Sequence, residues 1–393
     1  MRANITILLV TLSLCLGVSE LFLRHLFSEV TFADRYALWS APALQVKPDG
    51  AVLYQPHLNV RDIAVYGNTI DYDTHFRTNN VGLIDTIDYP QPSDMNSNVT
   101  RIAFAGDSFT AGVGASPWVP KLRERLAQQN IQENKEIQIY NLGLIGAGFQ
   151  HFHKLLTHFD PLLKYDQIVI LAISNDFHRL YWRPLNDQSS IKMCPENESD
   201  TVCAKRRAFV DLIPAQLDTE QIMQKISVLR KEGIAAISQQ QQANLSWYRF
   251  GPLKYLRILS TLEKYLQQEP LFVLAENEQK IGGSILSYAE KINKKTLQEI
   301  RRSFPETPIH FIHLPQRAEI ENKKYSLDFD LAEHLKESNI QYQPALQTCS
   351  WDSKMFHEND PHPNAYGYAA VSKCVEQYLH TLTGGAERSS ESG

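Results

Sequence analysis

Short apolar runs alternate with amphipathic stretches through the central and C-terminal parts of the chain. The runs predict five strands, at residues 102–105, 137–141, 167–173, 309–314 and 340–344. The run at 167–173 is continuously apolar, which is typical of a strand buried on both faces of a parallel sheet. Helical patterns occupy residues 118–129, 151–163, 290–303, 328–337 and 363–382. Strands that alternate with helices predict an α/β fold with a parallel sheet covered on both faces.

Three segments depart from this alternation and set the predicted domain boundaries. Residues 25–99 carry short strand-like pieces and turn signals, and predict a small β-rich lead-in to a main domain at 100–383. Residues 177–289 form a long insertion with a helical pattern at 216–239. An insertion at the carboxyl edge of a sheet is often a lid over a site, although a helical subdomain that only packs on the sheet fits equally. Residues 384–393 are small and polar, and predict a disordered tail.

The first 24 residues differ from the rest of the chain. A positively charged start precedes an apolar run from Ile5 to Leu23 in which Glu20 is the one charged residue. This length is close to the roughly 20 residues that a membrane-spanning helix needs. The segment predicts an uncleaved membrane anchor, a cleaved signal with a small-x-small site at Gly17-Val18-Ser19, or a buried helix of a soluble protein. The first two readings place the protein at the inner membrane facing the periplasm, or free in the periplasm or outside.

Composition and charge narrow the range of possible function classes. The chain has 393 residues, 43% of them hydrophobic and 21% charged, so it can bury a full core in one large domain or two. A net charge of −5 without a long basic run argues against a nucleic-acid partner. Four cysteines outside the N-terminal segment are compatible with two disulfides in an oxidising compartment, with the pairing open: Cys194, Cys203, Cys349 and Cys374. No Cys-x-x-Cys or His-x-x-x-His spacing is present, so no zinc site is expected.

A serine and a distant histidine are the candidates for nucleophilic catalysis. Ser108 follows the first predicted strand in Gly106-Asp107-Ser108, and open α/β sheets bind ligands at the carboxyl ends of their strands. His362, just before the last helix, is the candidate base, and Asp360 can orient it. Glu358 and Asn359 are alternative orienting residues. The competing reading is an ordinary strand-to-helix turn capped by Asp107 or Ser108, and His151, His153, His158 and His178 are interpreted as structural.

Two further loops supply candidate hydrogen-bond donors for an oxyanion. Gly146 lies in the glycine-rich turn after the second strand, and Asn175 follows the third strand. In a sheet ordered 2-1-3-4-5, the second and third strands flank the first, so we expect both loops and the Ser108 N–H to meet at one edge. Each loop taken alone also fits a plain turn.

The motifs together resemble those of the SGNH/GDSL hydrolase superfamily. Gly106-Asp107-Ser108-Phe109 resembles its first block and Asn141-Leu-Gly-Leu-Ile-Gly146 its second, with Gly146 as the oxyanion glycine and Gly143 as the alternative. Ile173-Ser-Asn-Asp176 resembles the third block and Asp360-Pro-His-Pro-Asn364 the fifth. The resemblance covers roughly residues 101–383. It implies a flavodoxin-like three-layer α/β/α sandwich with a five-stranded parallel sheet, here with a helical insertion and an N-terminal membrane helix.

Two departures from the superfamily pattern bear on the site. Ile173 stands where the third block usually has glycine, and Asp360 lies two residues before His362 rather than three. The Asp-x-His spacing resembles that of alginate-type polysaccharide O-acetyltransferase relatives. The lead-in segment Phe76-Arg-Thr-Asn-Asn-Val-Gly-Leu83 after a membrane anchor resembles the front of exported bacterial members of the superfamily.

The resemblance implies acyl transfer by Ser108, His362 and Asp360, with Ser108, Gly146 and Asn175 holding the oxyanion and no cofactor. The first hypothesis is an esterase that acts on a small-molecule or glycan ester, or a lipid ester, outside the cytoplasm and contacts the membrane through its N-terminal helix. The second is an O-acyltransferase that modifies an envelope polysaccharide. The third is a non-catalytic binding protein that retains the fold.

Overall fold

The computed structural model describes residues 35–89, 99–115, 117–130, 136–240 and 285–388, together with the isolated positions 11, 15, 17 and 18. The chain divides into two compact units. One consists of Tyr36–Leu217 and Leu274–Gly393 and contains the predicted site. The other consists of Met1–Arg35 and Asp218–Val273, and its described part is mainly one helix, Thr219–Gln240.

From residue 99 onward most strands are followed by a helix. The strands are β1 (Arg35–Trp39), β2 (Leu44–Val46), β3 (Val52–Tyr54), β4 (Asn59–Tyr66), β5 (Thr69–Arg77), β6 (Val99–Gly106), β7 (Glu136–Gly143), β8 (Gln167–Ala172), β9 (Trp182–Asn186), β10 (Ser190–Pro195), β11 (Val210–Leu212), β12 (Ile309–His313) and β13 (Gln341–Pro344). The α-helices are α1 (Ser108–Ala111), α2 (Trp118–Asn130), α3 (Phe149–Leu163), α4 (Asp200–Cys203), α5 (Thr219–Gln240), α6 (Ile285–Ser303), α7 (Arg317–Asn322), α8 (Leu331–Glu337), α9 (Ala345–Thr348) and α10 (Ala365–Arg388).

The five predicted strands form one parallel sheet in the order β13-β12-β8-β6-β7. In chain order this is the 2-1-3-4-5 arrangement, so the predicted α/β class, the strand order and the parallel pairing are confirmed. The strand that precedes the candidate nucleophile, β6, lies between the two strands that precede the candidate oxyanion loops.

Alternation along the strands buries both faces of this sheet. Phe104 on β6 stacks against Trp118 of α2, in a core cluster that also includes Val375 of α10. Phe311 on β12 points to the other face and stacks against Phe149 of α3. Successive residues of a strand face opposite sides of the sheet, so one apolar run packs against the helices on both faces. This gives the expected three-layer sandwich.

The expected helical insertion begins with strands instead, which corrects that prediction. β9, β10 and β11 join the lead-in strands in a second, six-stranded sheet with the order β5-β4-β1-β11-β10-β9. The junction is the parallel pair of β1 and β11, in which Leu38 lies opposite Asp211. The strand signal is weak here because β11 is three residues long and the edge strand β9 contains Pro184, a residue that edge positions tolerate. Residues 241–284 of the insertion lie outside the described residues.

The chain termini are described only in part. No helix among the described residues is long and apolar enough to cross a membrane, and the anchor predicted at residues 1–24 lies outside them apart from four positions. At the other end, α10 is described as far as Arg388, and the disordered tail expected at residues 384–393 stays a prediction. Residues 389–393 lie outside the described part.

Two disulfides are present, as the even cysteine count predicted. Cys194 of β10 pairs with Cys203 at the end of α4. Cys349, next to α9, pairs with Cys374 of α10, so this bridge encloses the loop that carries His362. The pairing, which the sequence left open, is therefore between cysteines close in the chain.

Candidate active site

The turn from β6 into α1 places Ser108 at the first position of the helix. A Cβ atom on Gly106 would lie 2.0 Å from Thr110 Oγ1 and 2.3 Å from the Leu171 carbonyl oxygen. Glycine at this position therefore lets α1 pack directly on the ends of the strands. Asp107 caps the helix, because its Oδ1 accepts a hydrogen bond of 2.8 Å from the Phe109 N–H.

The structure brings Ser108, His362 and Asp360 together. Ser108 and His362 are 254 residues apart in the sequence. Ser108 Oγ lies 2.8 Å from His362 Nε2, and His362 Nδ1 is hydrogen bonded to Asp360 Oδ1. Asp360 Oδ1 also accepts the His362 N–H at 2.9 Å. The three residues are 3%, 7% and 0% exposed. This pattern matches a neutral imidazole that donates from Nδ1 and accepts the serine proton at Nε2.

The alternative orienting residues point elsewhere. Asn359 Nδ2 donates to Asp71 Oδ1 at 2.8 Å, and Glu358 is exposed. Asp360 is therefore the one of these three residues whose side chain meets the imidazole.

Asn364 fixes the loop that holds His362. Its Oδ1 accepts the N–H of Gly367 at 3.2 Å and so caps α10, while its Nδ2 donates to the carbonyl of Phe356 at 2.9 Å. A Cβ on Gly367 would lie 2.1 Å from the Met355 carbonyl oxygen, so the loop and the helix are in direct backbone contact. The hydrogen bonds of Asn364 and this backbone contact therefore hold the turn that presents the imidazole.

Strand register brings the two predicted oxyanion loops to the level of Ser108. Gly106 on β6 is paired with Gly143 on β7 and with Leu171 on β8. The Gly143 N–H donates to Asn141 Oδ1 at 3.0 Å, so it is already used. Gly146 has a φ of +69°, and its N–H makes no hydrogen bond within the described part of the chain. Of the two glycines, Gly146 is the one that can donate to a ligand.

Asn175 lies in the 3-10 helix Ser174–His178 that follows β8. Its backbone N–H donates to Gln316 Oε1 at 3.3 Å, which fixes the residue without using its side chain. Within the described residues the Asn175 amide has no hydrogen-bond partner, and neither does the Ser108 N–H. Three donors at the carboxyl ends of adjacent strands are therefore available for an anionic oxygen.

These observations coincide with a family comparison. Residues 102–375 match the model of the GDSL-like lipase/acylhydrolase family. The chain belongs to this family. It is accordingly a hydrolase that acts on ester bonds, and the resemblance to the SGNH/GDSL superfamily stated from the sequence is confirmed.

Solved structures of acylhydrolases show distant likeness to this chain. A lipase/acylhydrolase from Enterococcus faecalis is 12% identical with a TM-score of 0.34, and the match covers 71% of this chain and 95% of that one. A lipase from a goat rumen metagenome is 15% identical with a TM-score of 0.32, and the match covers 71% and 96%. No curated protein matches the chain. The likenesses are too distant to indicate a substrate.

A buried ion cluster beside the acylhydrolase's Ser108 was not predicted. Arg179 Nη1 lies 2.8 Å from Asp107 Oδ2 and 2.6 Å from Asp176 Oδ1. Burial, followed by the negative charge of Asp107, raises the pKa of Asp176 well above its ordinary value, and Arg179 opposes this shift. Both aspartates stood in the sequence motifs, but nothing in the sequence marks Arg179 as the cation between them.

Buried histidines support the acylhydrolase loops without touching Ser108. His313 Nε2 lies 2.9 Å from Ser174 Oγ, and its ring stacks on Tyr325 with centroids 3.6 Å apart. Burial lowers the pKa of His313 to about 3, so the ring stays neutral and holds the residue before Asn175. His151, expected to be structural, is buried with its Nε2 2.9 Å from the Trp182 carbonyl oxygen. Within the described residues, no group of three or more acidic, histidine or cysteine side chains is arranged to hold a metal ion.

Proposed function

We propose that this acylhydrolase is a serine esterase that cleaves an O-acyl ester of a carbohydrate or a lipid outside the cytoplasm. The observation that carries the proposal is the buried hydrogen-bond chain from Ser108 Oγ through the His362 imidazole to Asp360. A serine hydroxyl becomes a nucleophile only when a base accepts its proton, and a base keeps its orientation only when a third group holds it.

In the proposed reaction, Ser108 Oγ attacks the carbonyl carbon of the ester while His362 Nε2 takes the hydroxyl proton. The tetrahedral intermediate collapses, the alkoxide leaves, and His362 returns the proton to it as the alcohol. Water then attacks the acyl-serine by the same route and releases the carboxylic acid. The carboxylate of Asp360 stabilises the imidazolium at each stage, since it accepts the Nδ1 hydrogen bond.

The negative charge on the carbonyl oxygen is proposed to meet three donors: the N–H groups of Ser108 and Gly146, and the side-chain amide of Asn175. Their lack of partners within the described part of the chain supports this role. A donor aimed at a developing oxyanion contributes about 100-fold or more to the rate.

The location and substrate class rest on features away from the triad. Two disulfides are typical of proteins that fold in an oxidising compartment. The apolar run in residues 1–24 favours export or a membrane anchor, with the site on the periplasmic side. Apolar side chains flank the Gly146 position, where an added methyl would lie 2.2 Å from Met193 Cε and 3.7 Å from Phe209 Cζ. These apolar side chains favour contact with the acyl portion of an ester over contact with a charged group.

A fluorophosphonate probe tests the proposal, because it phosphonylates only activated serines. We expect stoichiometric labelling of the folded chain, release of p-nitrophenol from p-nitrophenyl acetate, and loss of both in Ser108→Ala. The matched control is Ser372→Ala, which removes a buried serine on α10 that Arg125 contacts at 2.7 Å, and it should label like the wild type. Absence of labelling, or labelling that survives Ser108→Ala, would leave a non-catalytic binding protein as the better description.

One observation favours a second activity on the same residues. Asp360 and His362 are separated by one residue, a spacing that resembles polysaccharide O-acetyltransferase relatives. In that case a sugar hydroxyl rather than water would attack the acyl-serine. Measuring acetate release and oligosaccharide acetylation together separates the two activities: an acetylated product that forms at the expense of acetate indicates the transferase.

A further inference from the structure

We infer that the second sheet contributes two positioning residues, Tyr66 and Asp71, to the proposed triad. They lie at the end of β4 and near the start of β5, on either side of one hairpin turn. The inference rests on the proposed function, since it assigns a role in holding Asp360 toward His362.

Tyr66 holds the second oxygen of the Asp360 carboxylate. Its hydroxyl donates to Asp360 Oδ2 at 2.8 Å, and the residue is 1% exposed. Asp360 Oδ1 meanwhile accepts two bonds from His362, one from the backbone N–H and one from Nδ1. Bonds on both oxygens fix the plane of the carboxylate, and hydrogen bonding to a buried carboxylate favours its charged form.

Asp71 holds the backbone that carries Asp360. Its Oδ2 accepts the N–H of Asn359 at 2.8 Å and the N–H of Asp360 at 2.6 Å, while its Oδ1 accepts Asn359 Nδ2 at 2.8 Å. Hydrogen bonds that a carboxylate accepts from backbone amides are stronger than those between neutral groups. One side chain therefore satisfies three donors of the two residues that come before the His362 turn.

A residue outside the second sheet also holds this loop. Arg317, at the start of α7, donates from Nη2 to the Asp360 carbonyl at 3.1 Å and from Nη1 to the Glu358 carbonyl at 2.9 Å. The hairpin also contacts His357 of this loop, because the rings of Tyr72 and His357 lie 5.1 Å apart. Polar contacts that converge on the residue orienting the base go beyond what simple packing of a sheet requires.

Loss of either residue should therefore lower turnover more than substrate binding. Without the Tyr66 hydroxyl, Asp360 has one donor fewer and attracts the imidazole proton more strongly. The acid limb of the pH–rate profile should then move to higher pH in Tyr66→Phe. In Asp71→Asn, an amide nitrogen replaces one of the two accepting oxygens and faces N–H donors, so the loop loses its fixed position.

The test measures kcat, KM and the pH–rate profile with p-nitrophenyl acetate, on enzyme whose active sites are titrated with the fluorophosphonate so that rates refer to folded protein. We expect kcat to fall about tenfold or more in Tyr66→Phe and in Asp71→Asn, with KM within about twofold of wild type, as for groups that orient a catalytic base. The acid limb should move in Tyr66→Phe.

Two control variants match the chemistry without touching the triad. Tyr165→Phe removes another buried tyrosine hydroxyl, which donates to the Leu156 carbonyl at 3.3 Å. Asp73→Asn removes a carboxylate on the same strand as Asp71 that pairs with Arg61. Both should keep kcat and the pH profile even if they lower the melting temperature. Wild-type kcat and profile in both Tyr66→Phe and Asp71→Asn would overturn the inference, whereas activity that survives Ser108→Ala in the same assay would overturn the proposed function.

Discussion

Arg179 forms a 2.8 Å ion pair with Asp107, the residue immediately before Ser108. Arg179 is also the residue after the 3-10 helix that carries Asn175, and it bonds Asp176 in that helix. One guanidinium therefore ties the turn of the proposed nucleophile to the loop of a proposed oxyanion donor. The relative position of Ser108 and Asn175 depends on this cluster as well as on strand register.

Replacing Arg179 by methionine should destabilise the fold strongly. It leaves Asp107 and Asp176, both fully buried, without their cation, and breaking a buried ion pair from one side costs about 3–5 kcal/mol. Urea unfolding at pH 7 measures the change. Arg179→Met combined with Asp176→Asn should recover part of the loss, since the double variant buries one carboxyl group fewer beside Asp107. A loss below about 1 kcal/mol in the single variant would contradict the importance of the cluster.

The raised pKa of Asp176 predicts how the free energy of unfolding depends on pH. Its pKa is raised in the folded protein, so its contribution is fully present below the unfolded value near 3.8 and is lost as pH rises through the raised folded value. In Asp176→Asn this contribution is absent. The unfolding free energy of wild type minus that of Asp176→Asn should therefore fall from pH 4.5 toward pH 8, by at most about 1.4 kcal/mol per pH unit. A difference that is flat or rises with pH would show that Asp176 is ionised when the protein is folded.

Asn175→Ala should lower the activity and leave the stability of the fold nearly unchanged. The side chain is partly exposed and its amide has no hydrogen-bond partner in the described part of the chain, so its removal costs the fold little. If the amide holds the oxyanion, kcat should fall on the order of 100-fold. Steady-state kinetics and a melting curve on the same sample check both expectations. Unchanged kcat would remove Asn175 from the proposed oxyanion site.

Gly146→Ala should impair the enzyme for two distinct reasons. The residue has a φ of +69°, which costs an alanine about 1 kcal/mol, and the new methyl would lie 2.2 Å from Met193 Cε. We expect a large loss of kcat, because the turn must shift and carry its N–H with it. The double variant with Met193→Ala removes the clash but keeps the backbone cost, so it should regain activity in part. Full recovery would mean that the backbone conformation is unimportant.

The disulfide around the His362 loop should stabilise more than the other one. Cys349–Cys374 closes a 25-residue separation and Cys194–Cys203 a separation of 9. Loop-closure entropy then predicts losses of about 3.5 and about 2.6 kcal/mol for the two serine-pair variants. Denaturant unfolding checks this order in the two double variants, Cys349→Ser/Cys374→Ser and Cys194→Ser/Cys203→Ser. The reverse order of losses would show that local packing outweighs chain entropy.

Much of the main domain could be predicted because its signals are local. The apolar runs gave the five strands, and the residues that follow each run gave Ser108, Gly146 and Asn175. The second sheet could not be predicted, since β11 has only three residues and its partner β1 lies far away in the chain. The donors to Asp360 and to Asp107 were missed for the same reason: Tyr66 is 294 residues from Asp360 and Arg179 is 72 from Asp107, and no spacing rule links them.

The parallel pair of β1 and β11 has a consequence for how the protein folds. The second sheet cannot close until the chain has been made as far as residue 212, although its first strand begins at residue 35. During synthesis, β6, β7 and β8 can therefore assemble before β11, the partner of β1, has been made. Contacts of such long range are slow to form, so the attachment of Tyr66 and Asp71 to the His362 loop should be among the last steps of folding. Activity in a refolding experiment should consequently return later than secondary structure.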